Sequence, residues 1–474
     1  MTLESLNNIP KELKRWILVL NDNNMSISQN VGAITNILSR FLSNPTSNRI
    51  YHEIELLLNK IPNIGRTLAK QGHRCKESLK NLVSTAPFFE QFGLSYVGPI
   101  DGHDLDKLVH TFYALKDVQK PTIVHVLTTK GKGMDTAIHN PTTYHGCKPF
   151  DKETGLFHVK QGKSTFPQIF GNYLLALGNI HPHLVTITPA MSAGSCLDAF
   201  AEAFPERFID VGIAEGHAVT YAGALAKDLS CKVVCSIYAT FLQRAFDNLF
   251  HDVCLQRSPV IFAIDRAGIS GPDGSTHHGI YDLSFLQTMP GMILCQPRDG
   301  HVLKELLESS LSWNAPTAIR YPNQVTEEPI LPMRFRLPGH GELLAQGKEL
   351  LIIPLGHMCT LAFQLQKRLE QEGIFPTIFD PVFIKPLDEE SLLKLCTTHS
   401  TIVTIEEHAL QGGLTSAMLF FLQKHHISPE HFLHFAIPDH FLEHGSYKEI
   451  LQTAHLTEEH IFHEIMNIYT RVSS

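Results

Sequence analysis

The 474-residue sequence lacks several features that mark large classes of protein. Basic residues are not in excess, because 39 Lys and Arg stand against 47 Asp and Glu, which excludes a polybasic surface for nucleic acid or anionic membrane. No run approaches the ~18 consecutive apolar residues of a membrane span, and residues 1–8 lack the basic and apolar regions of a secretory signal. The nine cysteines are scattered without a CxxC pair, which favours reduced thiols in a cytoplasmic protein.

The order of segments predicts an α/β protein. At about 150 residues per domain the length indicates roughly three domains, and apolar β-rich runs alternate with helical patterns, as in parallel sheets. Two stretches with little periodicity, Lys130–Ser164 and Glu327–Lys348, are the predicted linkers. We therefore expect three doubly wound parallel-sheet domains at residues 1–160, 161–330 and 331–474. The predicted strands are Trp16–Leu20, Thr122–Leu127, Leu184–Thr188, Lys232–Tyr238, Val260–Asp265, Met292–Gln296, Thr317–Tyr321, Glu349–Pro354, Thr377–Asp380 and Ile402–Glu406.

Glu215 is a lone carboxylate between a predicted strand and an Ala- and Gly-rich predicted helix, Ala218–Leu229. A carboxylate in such a place is costly to bury unless a partner hydrogen-bonds to it. One chemistry that needs a buried carboxylate is the activation of thiamine diphosphate, in which a Glu holds N1′ of the pyrimidine and the 4′-amino group acts as a base. The alternative is a Glu that the helix dipole favours at a helix N-terminus.

Two polar segments follow predicted strands in the first third of the chain. Asn23 and Met25 lie in the run Asn21–Ile27, whose side-chain and main-chain oxygens suit magnesium, although Asn/Asp clusters also form ordinary turns. Lys130 lies in the run Thr129–Met134, where Lys and Gly together at a strand end suit a phosphate. Both segments are therefore candidates for binding a phosphorylated ligand with its metal.

The middle third carries polar segments at predicted strand ends, where parallel sheets place their sites. Phe241 could lie against a planar heterocycle, and Arg244 could bind an anion. The alternative is an amphipathic helix with Phe241 and Phe246 in the core. Arg320 ends a later predicted strand and would join Arg266 at one edge, which favours an anionic substrate; alternatively, Arg320 is a surface residue.

The loop of residues 263–279 is the densest polar segment. Functional residues concentrate on irregular loops of this kind. An Arg binds phosphate or carboxylate in bidentate fashion, and a His is the natural proton carrier near neutral pH. Its charged or titratable side chains are Asp265, Arg266, Asp273, His277 and His278.

Taken together and in order, these segments resemble the 1-deoxy-D-xylulose-5-phosphate synthases, thiamine-diphosphate enzymes of the transketolase family. The matching stretches span almost the whole chain, and the combination of Thr-Phe-Leu-Gln-Arg with Asp-Arg-Ala-Gly is specific to this family. They are Asn21–Ile27, Gly98–Asp104, Thr129–Gly133, Ile187–Met191, Ile213–Val219, Thr240–Phe246, Asp265–Gly268, Asp273–His277, Ile384–Asp388 and Glu406–Gly413.

The resemblance implies a homodimer that condenses pyruvate with D-glyceraldehyde 3-phosphate, using thiamine diphosphate and magnesium. The products are CO₂ and 1-deoxy-D-xylulose 5-phosphate, which feeds isoprenoid, thiamine and pyridoxal synthesis. It implies that Glu215 is the N1′ partner, that Phe241 stacks on the pyrimidine and that His277 transfers protons. The residues implied on the diphosphate, metal and catalytic side are Asn23, Met25 through its carbonyl, Lys130, Met134 and His145. Those implied for substrate are Tyr238, Arg266, Asp273 and Arg320, with Arg244 near the mouth of the site.

The sequence departs from the family's pattern at its start. The family has a long segment before the Asn-Asp-Asn motif, including a Gly-Asp-Gly whose Asp is the first magnesium ligand, and this sequence contains no Gly-Asp-Gly. We therefore expect an N-terminally shortened form with an incomplete first domain. Two alternatives stay open: a related enzyme such as a transketolase or a 2-oxo-acid dehydrogenase β-type subunit, and an inactive fragment that only folds or dimerises.

Overall fold

The structure is a computed structural model that describes residues 2–9, 12–25, 86–147, 149–157, 162–228 and 231–472. The chain divides into two compact units, Met1–Val159 and Lys160–Ser474. The boundary between them falls inside the predicted linker Lys130–Ser164, which also contains a short helix. Among the described residues, no helix is both long enough and apolar enough to cross a membrane.

The first unit contains a parallel sheet with strand order β1-β3-β2 in its described part. The central strand β3 is buried on both faces, as its mainly apolar sequence predicts, although it also contains the polar residues Thr122 and His125. Its neighbouring residues Ile123 and Val124 point to opposite faces and enter two separate small cores. The described elements are α1 (Thr2–Asn7), β1 (Ile17–Asp22), α2 (Ala86–Glu90), β2 (Ser95–Asp101), α3 (Leu105–Leu115), β3 (Thr122–Leu127) and α4 (Asp135–His139).

The second unit contains two sheets. The seven-stranded sheet has the order β13-β8-β9-β7-β6-β4-β5 and is parallel except for β13, which runs antiparallel to β8. Its strands are β4 (Leu184–Thr188), β5 (Phe208–Asp210), β6 (Lys232–Tyr238), β7 (Val260–Asp265), β8 (Ile293–Cys295), β9 (Thr317–Arg320) and β13 (Phe383–Lys385). The five-stranded sheet has the order β10-β12-β11-β14-β15, with β10 antiparallel to β12. Its strands are β10 (Glu342–Ala345), β11 (Leu350–Pro354), β12 (Thr377–Asp380), β14 (Thr401–Ala409) and β15 (His431–Ile437).

Helices cover these sheets and bury apolar faces against them. The described α-helices of the second unit are α5 (Phe166–Ile180), α6 (Asp198–Ala203), α7 (Glu215–Leu225), α8 (Ala239–Leu242), α9 (Phe246–Asn248), α10 (Asp282–Leu286), α11 (Gly300–Ser310), α12 (Cys359–Gln371), α13 (Glu389–Thr398), α14 (Leu414–Lys424), α15 (Tyr447–Thr453) and α16 (Glu458–Val472).

Helix α5 shows how the sequence builds this layer. It begins at a capping box, in which Thr165 and Gln168 bond each other's backbone N–H groups. Gly171 lies on its buried face, where a Cβ would stand 2.1 Å from the carbonyl oxygen of Cys196. The backbone of the loop before α6 can approach α5 this closely only because residue 171 has no side chain.

We therefore expect Gly171→Ala to destabilise the second unit by about 1–3 kcal/mol, since the added methyl group must displace backbone. Gly445→Ala is the matched control, because a Cβ there meets its nearest atom at 3.5 Å, an ordinary contact. Urea unfolding followed by the fluorescence of Trp313, in a Trp16→Phe background, measures both, since the chain has two tryptophans. Equal midpoints for the two variants would contradict the close approach.

The α/β class predicted from the sequence is confirmed, and five predicted strands have the observed bounds. The single amphipathic helix considered for the segment of Phe241 and Phe246 is wrong in detail, because α8, a 3₁₀ turn, α9 and a π-helical turn at Leu249–Cys254 follow one another there. The predicted linker Glu327–Lys348 contains the strand β10. The five matching strands are β3, β4, β6, β7 and β12.

Candidate active site

Glu215 is the first residue of α7 and is only 4% exposed. Arg244 donates from Nη1 to both of its carboxylate oxygens, at 3.1 Å to Oε1 and 3.3 Å to Oε2. The helix N-terminus adds a favourable dipole. Asp210 holds the preceding turn, because its Oδ1 accepts the N–H groups of Ala190 and Gly212 at 2.9 Å each. The buried carboxylate therefore has the cationic partner that burial requires.

Phe241 lies one turn before Arg244, so the same short helical stretch brings an aromatic ring to the Glu215 region. One face of the Phe241 ring stacks on Tyr238, with centroids 5.4 Å apart and planes at 14°. The ring of His277 meets it edge-on at 5.5 Å and 70°. Phe241 is half-buried, whereas Phe246 is 43% exposed, so the alternative that placed both in the core is wrong for Phe246.

Arg266 leaves the end of β7 with a positive φ of 58° and turns back over the sheet. Its Nη1 donates to the carbonyl oxygen of Gly194 at 2.8 Å and to the buried carboxylate of Asp265. Its guanidinium carbon lies 4.3 Å from the centroid of the Tyr238 ring, a cation–π contact. Burial raises the pKa of Tyr238, and Asp273 is near enough to add to that shift. The three predicted substrate residues of this loop and strand are thus brought together.

His277 and His278 have different surroundings. His277 is half-exposed, and its Nδ1 lies 2.9 Å from the hydroxyl of Thr276. His278 is 3% exposed; its Nδ1 accepts the N–H of Ser270 at 3.0 Å, and its Nε2 lies 3.3 Å from the carbonyl oxygen of Glu443. Burial lowers the pKa of His278. Of the two, His277 is the one beside Phe241.

Arg320 is 2% exposed, so the alternative of a surface residue is wrong. Its Nε and Nη2 donate to the two carboxylate oxygens of Asp282 at 2.9 and 3.0 Å, a bidentate pair. Nη2 also donates to the carbonyl oxygen of Gly279 at 3.2 Å, and Nη1 donates to Gln296. All three guanidinium nitrogens are thus bonded within the chain. A role on substrate stays a prediction, and it requires one of these bonds to open.

His408 packs beside this pair, with its Nε2 3.9 Å from Asp282. That nitrogen accepts the N–H of Leu283 at 3.1 Å, and Nδ1 lies 2.9 Å from the carbonyl oxygen of Ala409, which fixes a neutral ring. Burial lowers the pKa of His408 from 6.5 to about 4. In the unfolded chain His408 therefore becomes protonated as the pH falls below 6.5, whereas in the folded chain it stays neutral until the pH approaches 4.

The stability that His408 contributes is present above pH 6.5 and is lost as the pH falls toward 4. At 1.36 kcal/mol per pKa unit, we expect the free energy of unfolding to fall by about 2 kcal/mol more in the wild type than in His408→Gln between pH 7 and pH 5. His183→Gln, at an exposed position, should behave like the wild type. Urea unfolding at both pH values measures the difference, and parallel pH curves for all three proteins would refute it.

In the first unit, polar groups gather where the three strands end. After β1, Met25 donates its N–H to Asn23 Oδ1 at 3.0 Å, and Thr128 after β3 donates its hydroxyl to Asn21 Oδ1 at 2.9 Å. After β2, the Nε2 of His103 accepts the N–H of Thr129 at 2.8 Å. Asn23 Oδ1 keeps a second lone pair, and amide and carbonyl oxygens are ligands that magnesium accepts. This part of the chain therefore holds neutral oxygen donors of a kind that magnesium accepts.

Lys130 and His145 lie near each other in this unit. Burial lowers the pKa of Lys130, and burial together with the charge of Lys130 lowers the pKa of His145. Gly131, which follows Lys130, has a φ of 81°, and a Cβ there would stand 2.7 Å from the backbone of Ala137. Met134 precedes α4 as its N-cap. The predicted phosphate segment is thus a tight turn that glycine permits.

Sequence reasoning missed several buried polar groups. In the first unit His125 is fully buried and lies 3.1 Å from Asp22 and 2.7 Å from the hydroxyl of Tyr96. In the second unit Glu407 is buried and accepts the N–H of Ile269 in the loop that carries His277. No sequence pattern distinguishes these residues from surface ones. Among the described residues, no three His, Cys, Asp or Glu side chains are grouped to hold a metal.

Three family models match successive parts of the chain. The model described as 1-deoxy-D-xylulose-5-phosphate synthase matches residues 1–128, the pyrimidine-binding domain of transketolase matches residues 163–328, and the C-terminal domain of transketolase matches residues 339–461. The first model covers the described three-stranded sheet, the second covers six strands of the seven-stranded sheet, and the third covers the five-stranded sheet together with β13. All the motifs that carry the resemblance except Thr129–Gly133 therefore lie inside these matched regions.

Two solved structures are similar in fold. A chain described as split gene transketolase, from an inactive β4 tetramer, is 28% identical with a TM-score of 0.58, and the match covers 65% of this chain and 98% of that chain. Transketolase from Campylobacter jejuni is 16% identical with a TM-score of 0.54, and the match covers 98% of this chain and 73% of that chain. The expected fold, three α/β domains of transketolase type, is confirmed.

Curated relatives are similar to this chain in sequence over nearly its whole length. The 1-deoxy-D-xylulose-5-phosphate synthase of Chlamydia pneumoniae is 48% identical over 473 residues, which cover 98% of this chain and 73% of the relative. That of Chlamydia caviae is 48% identical over 483 residues, which cover 100% of this chain and 75% of the relative. This chain thus spans about three quarters of the length of these relatives. With such identity over nearly its whole length, the chain belongs to the 1-deoxy-D-xylulose-5-phosphate synthase family.

Proposed function

We propose that the chain catalyses the thiamine-diphosphate-dependent condensation of pyruvate with D-glyceraldehyde 3-phosphate to 1-deoxy-D-xylulose 5-phosphate and CO₂. The observation that supports this most is the pairing of buried Glu215 with Arg244, one turn from a half-buried Phe241 ring. A buried carboxylate beside an accessible aromatic ring is what a protonated aminopyrimidine requires. When bound, thiamine diphosphate supplies the electron sink for decarboxylation and for carbon–carbon bond formation.

In this proposal Glu215 accepts a hydrogen bond from N1′ of the pyrimidine, and Phe241 covers one face of that ring. Arg244 keeps the carboxylate oriented while it is buried. His277 touches Phe241, is partly open to solvent and has the chemistry to carry a proton to or from the aldehyde oxygen. His145, in the first unit, is proposed as a second catalytic residue.

The phosphorylated aldehyde is proposed to bind at the loop after β7. Arg266 is the cation for its phosphate, and Tyr238 and Asp273 lie beside it. Arg320 is proposed as a further substrate residue, since its Cα pairs with Ile264 of β7, and binding would require it to release one of its present bonds. A pair of Arg residues near a strand end favours an anionic acceptor over a neutral one.

Asn23, the Met25 carbonyl, Lys130 and Met134 are proposed to hold the diphosphate and Mg²⁺. We also propose the domain division at residues 1–160, 161–330 and 331–474, a homodimeric assembly and a cytoplasmic location. The oxygen donors at the end of β1 and the Lys-Gly turn after β3 support the first of these assignments.

The test is product analysis. Purified chain, thiamine diphosphate, Mg²⁺, [2-¹³C]pyruvate and glyceraldehyde 3-phosphate should give labelled 1-deoxy-D-xylulose 5-phosphate by NMR. Product from a ketose phosphate donor in place of pyruvate would favour a transketolase. Calorimetric titration with thiamine diphosphate and Mg²⁺ tests the inactive-fragment alternative, which the absence of binding by a well-folded chain would favour.

A further inference from the structure

The buried groups that the proposed reaction does not use converge on one loop. Residues 266–279 carry Arg266, Asp273 and His277, yet several contacts that fix this loop come from residues beyond 400. Glu407, fully buried, accepts the N–H of Ile269 at 3.0 Å through Oε2. Gly445 donates its N–H to the carbonyl oxygen of Gly271 at 3.4 Å.

Glu407 is itself held from two sides. The hydroxyl of Tyr447 donates to Oε1, and His357 Nε2 lies 3.3 Å from Oε2. Gly268 passes directly over this carboxylate, because a Cβ there would stand 2.2 Å from Glu407 Oε2. The N-terminal part of the loop, at Gly268 and Ile269, is thus bound to the buried carboxylate of Glu407.

His278 holds the other end. Since its Nδ1 accepts the N–H of Ser270, the ring proton of the neutral form is on Nε2, which donates to the carbonyl oxygen of Glu443. The hydroxyl of Ser270 donates to the carbonyl oxygen of His277 at 2.7 Å. The ring therefore bridges the two arms of its own loop and ties them to the segment 443–447. His277, the residue before His278, meets the ring of Phe241 edge-on.

We propose that His278 is a positioning residue: as the Nε2–H tautomer it ties the loop to the C-terminal third of the chain and so sets His277 and the aldehyde-binding side chains. The effect on turnover rests on the proposed function, whereas the effect on the loop does not. Glutamine can replace both bonds, because its carbonyl oxygen accepts and its amide N–H donates. Alanine can replace neither.

The experiment compares wild type, His278→Gln and His278→Ala. Amide hydrogen exchange of the peptide that spans residues 266–279 should be about five- to tenfold faster in His278→Ala, the loss expected for one or two hydrogen bonds, and close to wild type in His278→Gln. Carbethoxylation of His277 by diethyl pyrocarbonate, located by peptide mapping, should be faster in His278→Ala alone. Exchange and modification rates that are equal in all three proteins would overturn the proposal.

Steady-state kinetics add a measurement that would not change if His278 had a purely structural role. In His278→Ala we expect the KM for glyceraldehyde 3-phosphate to rise about tenfold and kcat to fall, with the KM for pyruvate unchanged, and His278→Gln should restore both. Equal rises in both KM values, or no rescue by glutamine, would refute positioning. If the wild type itself turns over no substrate, the proposed function fails, and the exchange and modification rates still decide whether His278 positions the loop.

If His278→Ala does not fold, ¹⁵N-histidine NMR of the wild type decides the proposal. A neutral His278 ring that carries its proton on Nδ1 would overturn the Nε2–H tautomer.

Discussion

Replacing Glu215 by glutamine should lower kcat for 1-deoxy-D-xylulose 5-phosphate formation by about 10²–10⁴-fold, the range seen when a positioned proton-transfer partner is lost. The amide keeps the shape and the burial of the side chain but removes the negative charge that N1′ needs. It also removes the partner of Arg244. Steady-state rates with saturating cofactor measure the loss, and titration calorimetry shows whether thiamine diphosphate still binds.

The matched control is Glu202→Gln, because Glu202 is an exposed carboxylate on α6. It should leave both the rate and the binding unchanged. An active Glu215→Gln enzyme would show that Glu215 serves only the N-terminus of α7, and the proposed pyrimidine site would have to be abandoned. Circular dichroism of both variants checks that the fold is intact.

Replacing Arg320 by methionine should lower the free energy of unfolding of the second unit by about 3–5 kcal/mol, because Asp282 is left as a buried charge without its cation. Asp282 is 1% exposed, so water cannot take the place of the guanidinium. The urea midpoint read from Trp313 in the Trp16→Phe background measures the change. Arg257→Met, at an exposed position, should shift the free energy by no more than about 0.5 kcal/mol.

A double variant separates the lone charge from lost packing. Arg320→Met combined with Asp282→Leu removes both charges, and we expect it to recover part of the stability that the single variant loses. If the single variant were as stable as the wild type, the bidentate pair would not be a structural element, and Arg320 would be free to act on substrate alone.

The sequence predicted most of the strands because a strand buried on both faces has an unbroken apolar run that few other elements share. Phe241 and Arg266 were singled out for a related reason, since each follows such a run at a carboxyl end, whereas Glu215 was singled out as a lone carboxylate before an Ala- and Gly-rich helical pattern. The structure places Glu215 at a helix N-terminus, paired with Arg244, and Phe241 lies one turn before that Arg. Local pattern and parallel topology were sufficient to place Phe241 and Arg266 at strand ends, and their roles in the site stay predictions.

The sequence did not show what holds the site in place. The anchoring of residues 266–279 by Glu407 and His278 joins residues more than 130 positions apart, and no local periodicity records such a contact. Arg320 illustrates the same limit, since its position at a strand end indicated a rim cation whereas the fold turns it inward to Asp282. The sequence pattern predicts the backbone position of a side chain, whereas its tertiary contacts decide where its charged end lies.

Strand β13 limits where this chain can be divided into modules that are expressed separately. It belongs to the last third of the chain, yet it completes the edge of the sheet in the middle third, where Lys385 donates from Nζ to the carbonyl oxygens of Gln287 and Met289 at 2.7 and 2.6 Å. A chimera joined near residue 330 would separate this edge from its sheet and leave β8 open to association with other chains. The exchangeable module for recombination or for separate expression is therefore residues 160–474 as a whole.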